Sequence, residues 1–142
     1  MVAALALFLL ILYPWFGCTI DRSQVEVSLK KGWAVSRPDG SAVGLVLNIT
    51  NHGGCDLHLA GMSVTVHKVT YRSGRVADLE FTETQEISST ISPGRTENVD
   101  FTFDYIFRGT PVELTLRVEM SFREVGMVSA FDGELPMPFG AQ

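Results

Sequence analysis

The sequence predicts an all-β domain: an antiparallel β-sandwich of about seven strands, preceded by an N-terminal apolar helix. Three observations predict it. From residue 24 onward apolar and polar residues alternate with a period of two, the mark of strands with one dry and one wet face. Turn signals built from Gly, Pro, Asp and Ser recur roughly every 8–15 residues. Residues 2–20 carry no charge and form one apolar run, and no helical period follows it.

The apolar run, residues 2–20, is rich in strong helix formers up to Tyr13, where Pro14 interrupts it. At about 1.5 Å per residue it just crosses a hydrocarbon core of about 30 Å. Tyr13 and Trp15 suit an interfacial aromatic belt. An uncleaved membrane anchor is therefore the first reading. A cleavable signal is the second, because no basic n-region precedes Asp21. A lipoprotein signal acylated at Cys18 is the third; Gly17-Cys18 fits such a site, whereas Trp15 and Phe16 are bulkier than its usual residues. Arg22, Lys30 and Lys31 after the run give a slight basic bias, and the domain is placed outside the cytoplasm.

The strands follow in order. Residues 24–30 alternate with Val25, Val27 and Leu29 inward, and Trp33 and Val35 continue this strand past Gly32 through a bulge. Arg37-Pro38-Asp39-Gly40-Ser41 turns the chain. In residues 42–50, Val43, Leu45, Leu47 and Ile49 share one face, opposite Asn48 and Thr50. The polar stretch 51–56 is a loop. Residues 57–72 resume β, and Val69 and Tyr71 fall on the opposite parity to Met62, Val64 and Val66, which predicts a bulge near His67-Lys68. Arg72-Ser73-Gly74-Arg75 is a hairpin turn, and residues 76–90 are extended around Leu79, Phe81 and Ile87. Ser92-Pro93-Gly94-Arg95 precedes an alternating strand carrying Val99, Phe101, Phe103 and Tyr105. Residues 112–122 show the cleanest stripe, and residues 127–135 close the domain before Pro136 and Pro138. Two such sheets face to face make a sandwich; a closed barrel is the alternative. The division is thus an anchor or signal at 1–20 and a sandwich at 22–140.

Composition narrows the function. The 142 residues leave room for one domain, and 46% hydrophobic content argues against disorder. The net charge is -5 and no basic run exceeds Lys30-Lys31, so a nucleic-acid partner is not expected. Two cysteines are too few for a disulfide scaffold. A Cys18–Cys55 bridge would tie the leader to the domain and is disfavoured for that reason.

Catalytic and binding motifs are weighed next. His52, Cys55 and His58 are spaced three apart beside Asp56, a pattern that suits zinc or copper. A structural zinc site wants four ligands and no second cluster exists, so the expectation is a solvated polar turn and no metal. Asn48-Ile49-Thr50 is an N-glycosylation sequon, with Asn48 on the face away from Leu47 and Ile49. Glu83, Glu86, Glu97, Asp100 and Asp104 could pair for acid–base chemistry, but alternating outward positions read as a wet sheet face. No nucleophile elbow or phosphate loop is found. No catalytic residue and no cofactor are expected.

The run 47–122 resembles the LEA type 2 family, the LEA14-like or water-stress-and-hypersensitive-response domain. The likeness lies in a strand ending in Asn with a small-residue turn (47–54), a strand running into a hairpin (59–66) and a Pro-Gly turn before an alternating strand (91–101). The family commonly has Asn-Pro where this chain has Asn51-His52. The resemblance implies an immunoglobulin-like, fibronectin-III-like sandwich, a link to desiccation or other water stress, a position often beside a membrane, and no enzymatic activity. The Cys…Trp…Cys spacing of antibody domains is missing. The resulting expectation is a membrane-anchored sandwich acting on protein or lipid-headgroup partners by surface interaction. An extracytoplasmic adhesion or assembly module is the alternative, and a metal-binding protein the second alternative.

Overall fold

In the computed structural model the described residues are 18–37 and 40–138, with side chains described for all of these but 35–37, 40 and 41. The expected N-terminal apolar helix falls on residues outside this set. Among the described residues, no helix is long and apolar enough to cross a membrane.

A single 3-10 turn, Arg22–Gln24, leads into seven strands: β1 (Val25–Arg37), β2 (Gly40–Asn51), β3 (Leu57–Tyr71), β4 (Val76–Ile91), β5 (Thr96–Asp104), β6 (Pro111–Phe122) and β7 (Gly126–Pro136). They form two sheets, ordered β1-β2-β5 and β4-β3-β6-β7, and every hydrogen-bonded pair is antiparallel. Among the described residues no ladder joins the sheets, which makes them a sandwich and not a closed barrel. The inner faces share one core. Val43, Leu45, Leu47, Ile49 and Phe101 of the smaller sheet meet Leu57, Val64, Leu114, Leu116, Val118 and Met120 of the larger, all fully buried. Period-two patterning creates this arrangement, because it aims every second side chain of each strand into the gap between the layers.

Bulges adjust the faces. The register of β3 shifts between Val66 and Lys68, which returns Val69 and Tyr71 to the core as the parity change predicts. In β1 the shift lies between Leu29 and Lys31, ahead of the expected place at Gly32. Gly32 therefore opposes Leu45 on the core side, and Trp33 opposes Gly44 on the outside. The Trp33 indole lies flat on β2, where a Cβ at Gly44 would overlap the ring, and it remains 37% exposed.

Ile20, expected at the end of the apolar leader, is only 8% exposed and packs in the core. Ile20 thus contributes to the packed interior of the sandwich.

Strand alternation gives the sandwich two ends. The segment leading into β1, the β2–β3 and β4–β5 connections and the β6–β7 turn gather at one. Backbone bonds show it: His52 N–H donates to Gln24 O at 2.8 Å, Asn51 N–H to Arg95 O at 3.0 Å and Arg123 N–H to His58 O at 2.9 Å. At the other end the β3–β4 turn meets the β5–β6 loop, with Arg72 N–H donating to Thr110 O at 2.8 Å. At roughly 3.3 Å per residue, less the shortening by bulges, β3 separates the two ends by roughly 45 Å.

Candidate functional site

The N-terminal end is organised by one residue, Asn51, which closes β2 and is 0% exposed. Its Nδ2 donates to Cys55 O at 2.7 Å and Ile91 O at 2.8 Å, and its Oδ1 accepts from Gly53 N–H at 2.8 Å. Its backbone carbonyl accepts from Gly94 N–H at 2.7 Å. A loop that crosses from one sheet to the other leaves backbone groups without ladder partners, and a buried amide supplies both donors and acceptor. A Cβ at Gly53 would lie 3.0 Å from Ile20 Cγ1 and 3.1 Å from Asn51 Oδ1, so glycine is what lets the chain pass between them.

Cys18 and Cys55 are joined by a disulfide, with Cα atoms 5.6 Å apart. This overturns the expectation that the pair stays apart. The bridge forms where Ile20, packed beside Gly53, holds the neighbouring residues against the β2–β3 loop. A sulfur held in a disulfide carries no lipid thioether and ligates no metal. Cys18, the acylation candidate, and Cys55, the metal candidate, are thus both placed in the bridge.

The histidines disperse. His52 Nε2 lies 2.8 Å from Glu26 Oε2 of β1, in the smaller sheet. His58 belongs to β3 in the larger sheet, and its Nδ1 lies 2.6 Å from Glu124 Oε2. The intervening loop crosses between layers, so short sequence spacing becomes separation across the sandwich. Among the described residues no three His, Cys, Asp or Glu side chains come together in a group that could hold a metal ion. The third histidine, His67, pairs with Glu80 Oε1 at 2.9 Å. Glu124 also accepts from the His58 backbone N–H at 2.7 Å, so one carboxylate clamps both groups of the same residue. Burial works to raise the Glu124 carboxyl. The hydrogen bonds from the His58 backbone and ring, a backbone N–H of Glu124 itself and the His58 charge outweigh it and hold the carboxyl below its ordinary value.

The other predicted residues are scattered. Asn48 is half-buried on the outer face of the smaller sheet, between Ser28 and Asn98, and Thr50 of its sequon bonds Thr96 Oγ1 at 2.8 Å. Asp100 and Asp104 lie on that same face, opposite Val46 and Ala42. Glu86 is outward on β4, whereas Glu83 opposes buried Val64 and so takes the inner parity, half-buried along the sheet edge. These four carboxylates thus divide between two sheets and two faces.

The opposite end holds what the sequence reading did not single out. A cleft of about 380 Å³ lies between the start of β4 and the chain leaving β5. Tyr71, Arg75, Leu79, Tyr105, Ile106 and Arg108 line it, with Ala77 and Asp78. The Arg75 guanidinium lies over the Tyr71 ring, 5.0 Å from its centroid. Arg108 N–H donates to Tyr71 Oη at 3.2 Å, and Arg75 Nη2 donates to Arg108 O at 3.5 Å. Tyr105 is braced edge-on against Phe81 and tilted against Phe107, with ring centroids 5.2 and 5.0 Å apart. The ion pairs among the described residues are the three His–Glu pairs and Arg117–Glu119, so Arg72, Arg75 and Arg108 have no carboxylate partner. Ile106 is 83% exposed and Val76 53%. The available signal was the pair of turns Arg72-Ser73-Gly74-Arg75 and Arg108-Gly109, each readable as a turn but not as neighbours.

Comparisons with known proteins bear on the fold. No protein-family model matches the chain, and no curated protein sequence matches it. Among solved structures, it is similar to a Bordetella pertussis protein named ApaA, with a TM-score of 0.50 and 17% identity over 85% of this chain and 97% of that one. A structural-genomics target named SoR45 has a TM-score of 0.50 and 12% identity over 87% of this chain and 95% of that one. A late embryogenesis abundant (LEA) protein solved in solution has a TM-score of 0.47 and 11% identity over 96% of this chain and 85% of that one. At such identities what the chain shares with the first two is the sandwich architecture.

Proposed function

We propose that the protein is a non-enzymatic, extracytoplasmic sandwich, held at a membrane by its apolar N-terminal segment, that acts by surface interaction in a water-stress role of the LEA type 2 kind. The observation that carries the reading is the Cys18–Cys55 disulfide near the end of the apolar run. Such bonds persist in oxidising compartments outside the cytoplasm. Support for the stress role is the likeness of segments 47–54, 59–66 and 91–101 to that family. The test has two parts. Alkylation of the protein as isolated from its host membrane is expected to label neither cysteine before reduction; two free thiols would refute export. The full chain in lipid vesicles is expected to slow the drying-induced loss of a labile enzyme beyond an equal mass of albumin; equal loss would refute the stress role.

A second reading, an extracytoplasmic adhesion or assembly module, is favoured by the arginine–tyrosine cleft at the end remote from the N-terminus. It expects a captured partner and no protection during drying.

A further inference from the structure

We infer that the cleft between β4 and the β5–β6 loop is a docking site for an acidic peptide segment of a partner protein, one that presents carboxylates next to an apolar side chain. The inference deepens the reading of the domain as a surface-interaction module and rests on it. Charge is the first argument. The protein is acidic overall, at -5, yet Arg72, Arg75 and Arg108 gather at one end without a carboxylate partner among the described residues. Arginines that share a site repel one another unless an anion arrives, and a planar guanidinium matches a carboxylate bidentately. Asp78 is the one acidic residue of the lining, against two arginines, and is paired in register with Lys68 on β3.

Pre-organisation is the second argument. Arg75 is stacked on Tyr71, Tyr71 Oη accepts from the Arg108 backbone, and Tyr105 is packed against Phe81 and Phe107. The anchors are thus held before any ligand arrives, which lowers the ordering cost of association. Tyrosine and arginine beside an exposed aliphatic side chain also form the composition of interface hot spots. Ile106, 83% exposed next to Tyr105, provides the apolar contact. The third argument is place. The cleft lies roughly 45 Å along β3 from the end where the apolar segment enters, so a peptide from another protein suits it better than headgroups of the same membrane. β4 is an edge strand bonded only to β3, so its other backbone edge is open to an extended segment.

The probe is a displayed library of random peptides, panned against the full chain in phosphatidylcholine nanodiscs with the disulfide intact. An Arg75→Glu/Arg108→Glu variant is panned in parallel. Enrichment on the unaltered chain of peptides with clustered Asp or Glu beside an aliphatic or aromatic residue is expected. A synthetic copy should bind the double variant at least about tenfold more weakly, and Ile106→Asp similarly, with affinity falling as salt rises. A Lys30→Glu/Lys31→Glu variant should bind it unchanged. Melting curves report whether each variant folds; if the double variant does not, Ile106→Asp and Arg108→Ala decide alone. Acidic peptides that are not enriched, or that bind the variants equally well, overturn the inference. So does arginine-dependent capture of phosphatidylglycerol vesicles without peptide binding, which assigns the surface to lipid. The cysteine labelling above separates the outcomes, because a failed library with an oxidised Cys18–Cys55 pair leaves the exported module standing and removes only its cleft.

Discussion

The two ends of this sandwich use polar chemistry in opposite ways. At the N-terminal end a connected set of polar groups is answered from within: Asn51 serves three backbone partners, Glu124 clamps His58, Glu26 holds His52, and a disulfide straps Cys18 to the β2–β3 loop. At the far end Arg72, Arg75 and Arg108 form no ion pair among the described residues, and Ile106 stands in solvent. The contrast teaches where stability and where recognition reside. Groups satisfied internally hold a fold together, whereas groups left reaching outward cost little to the fold and remain free for a partner.

The comparison is broken most severely at Asn51. Asn51→Ala would strand the carbonyls of Cys55 and Ile91 and the N–H of Gly53 in a mostly buried site. The expected loss is about 3–5 kcal/mol, read as a fall in the denaturation midpoint; a change below about 1 kcal/mol would mean that the network does not hold this end. Removing the strap ranks next. Cys18→Ser/Cys55→Ser opens a loop with a sequence separation of 37 residues. Chain entropy puts the cost at about 2–4 kcal/mol, visible as a lower Tm that matches that of the reduced parent.

A smaller effect follows acid. Because the Glu124 carboxyl titrates below its ordinary value in the folded protein, its stabilising effect is complete above the ordinary carboxylate range. It is lost as pH falls through the lowered folded value. Glu124→Gln should therefore lower stability at neutral pH by under about 1 kcal/mol, the pair being partly screened by solvent, and flatten the acid limb of stability against pH. An acid limb as steep as the parent's would remove this clamp from the account. The smallest effect is expected at the other end. Arg108→Glu should change stability by no more than about 0.5 kcal/mol, since its guanidinium has no ion-pair partner to lose. A larger loss in a chemical melt would mean that the cleft is part of the structural frame, and the contrast between the ends would fail.

How much of this was legible depended on sequence distance. The seven strands are recoverable because period two is written within each segment: Leu114, Leu116, Val118, Met120 and Phe122 are all buried, as their spacing requires. The His67-Lys68 bulge was readable as a parity break. The β1 bulge was misplaced, because Lys30-Lys31-Gly32 offers several positions where an extra residue fits equally well and only pairing with β2 selects one. His52 and His58 looked like neighbours because spacing along a chain carries no information about which layer receives each residue.

Strand, face and turn were determined by the sequence itself, since alternation and turn chemistry act over a few neighbouring residues. The tertiary structure alone decided the remainder: which sheet each strand joins, that Ile20 enters the core and brings Cys18 to Cys55, that Asn51 is buried, and that the turns carrying Arg75 and Arg108 meet. Each of these joins residues far apart in the chain, and such contacts exist only once two sheets have closed on a common interior.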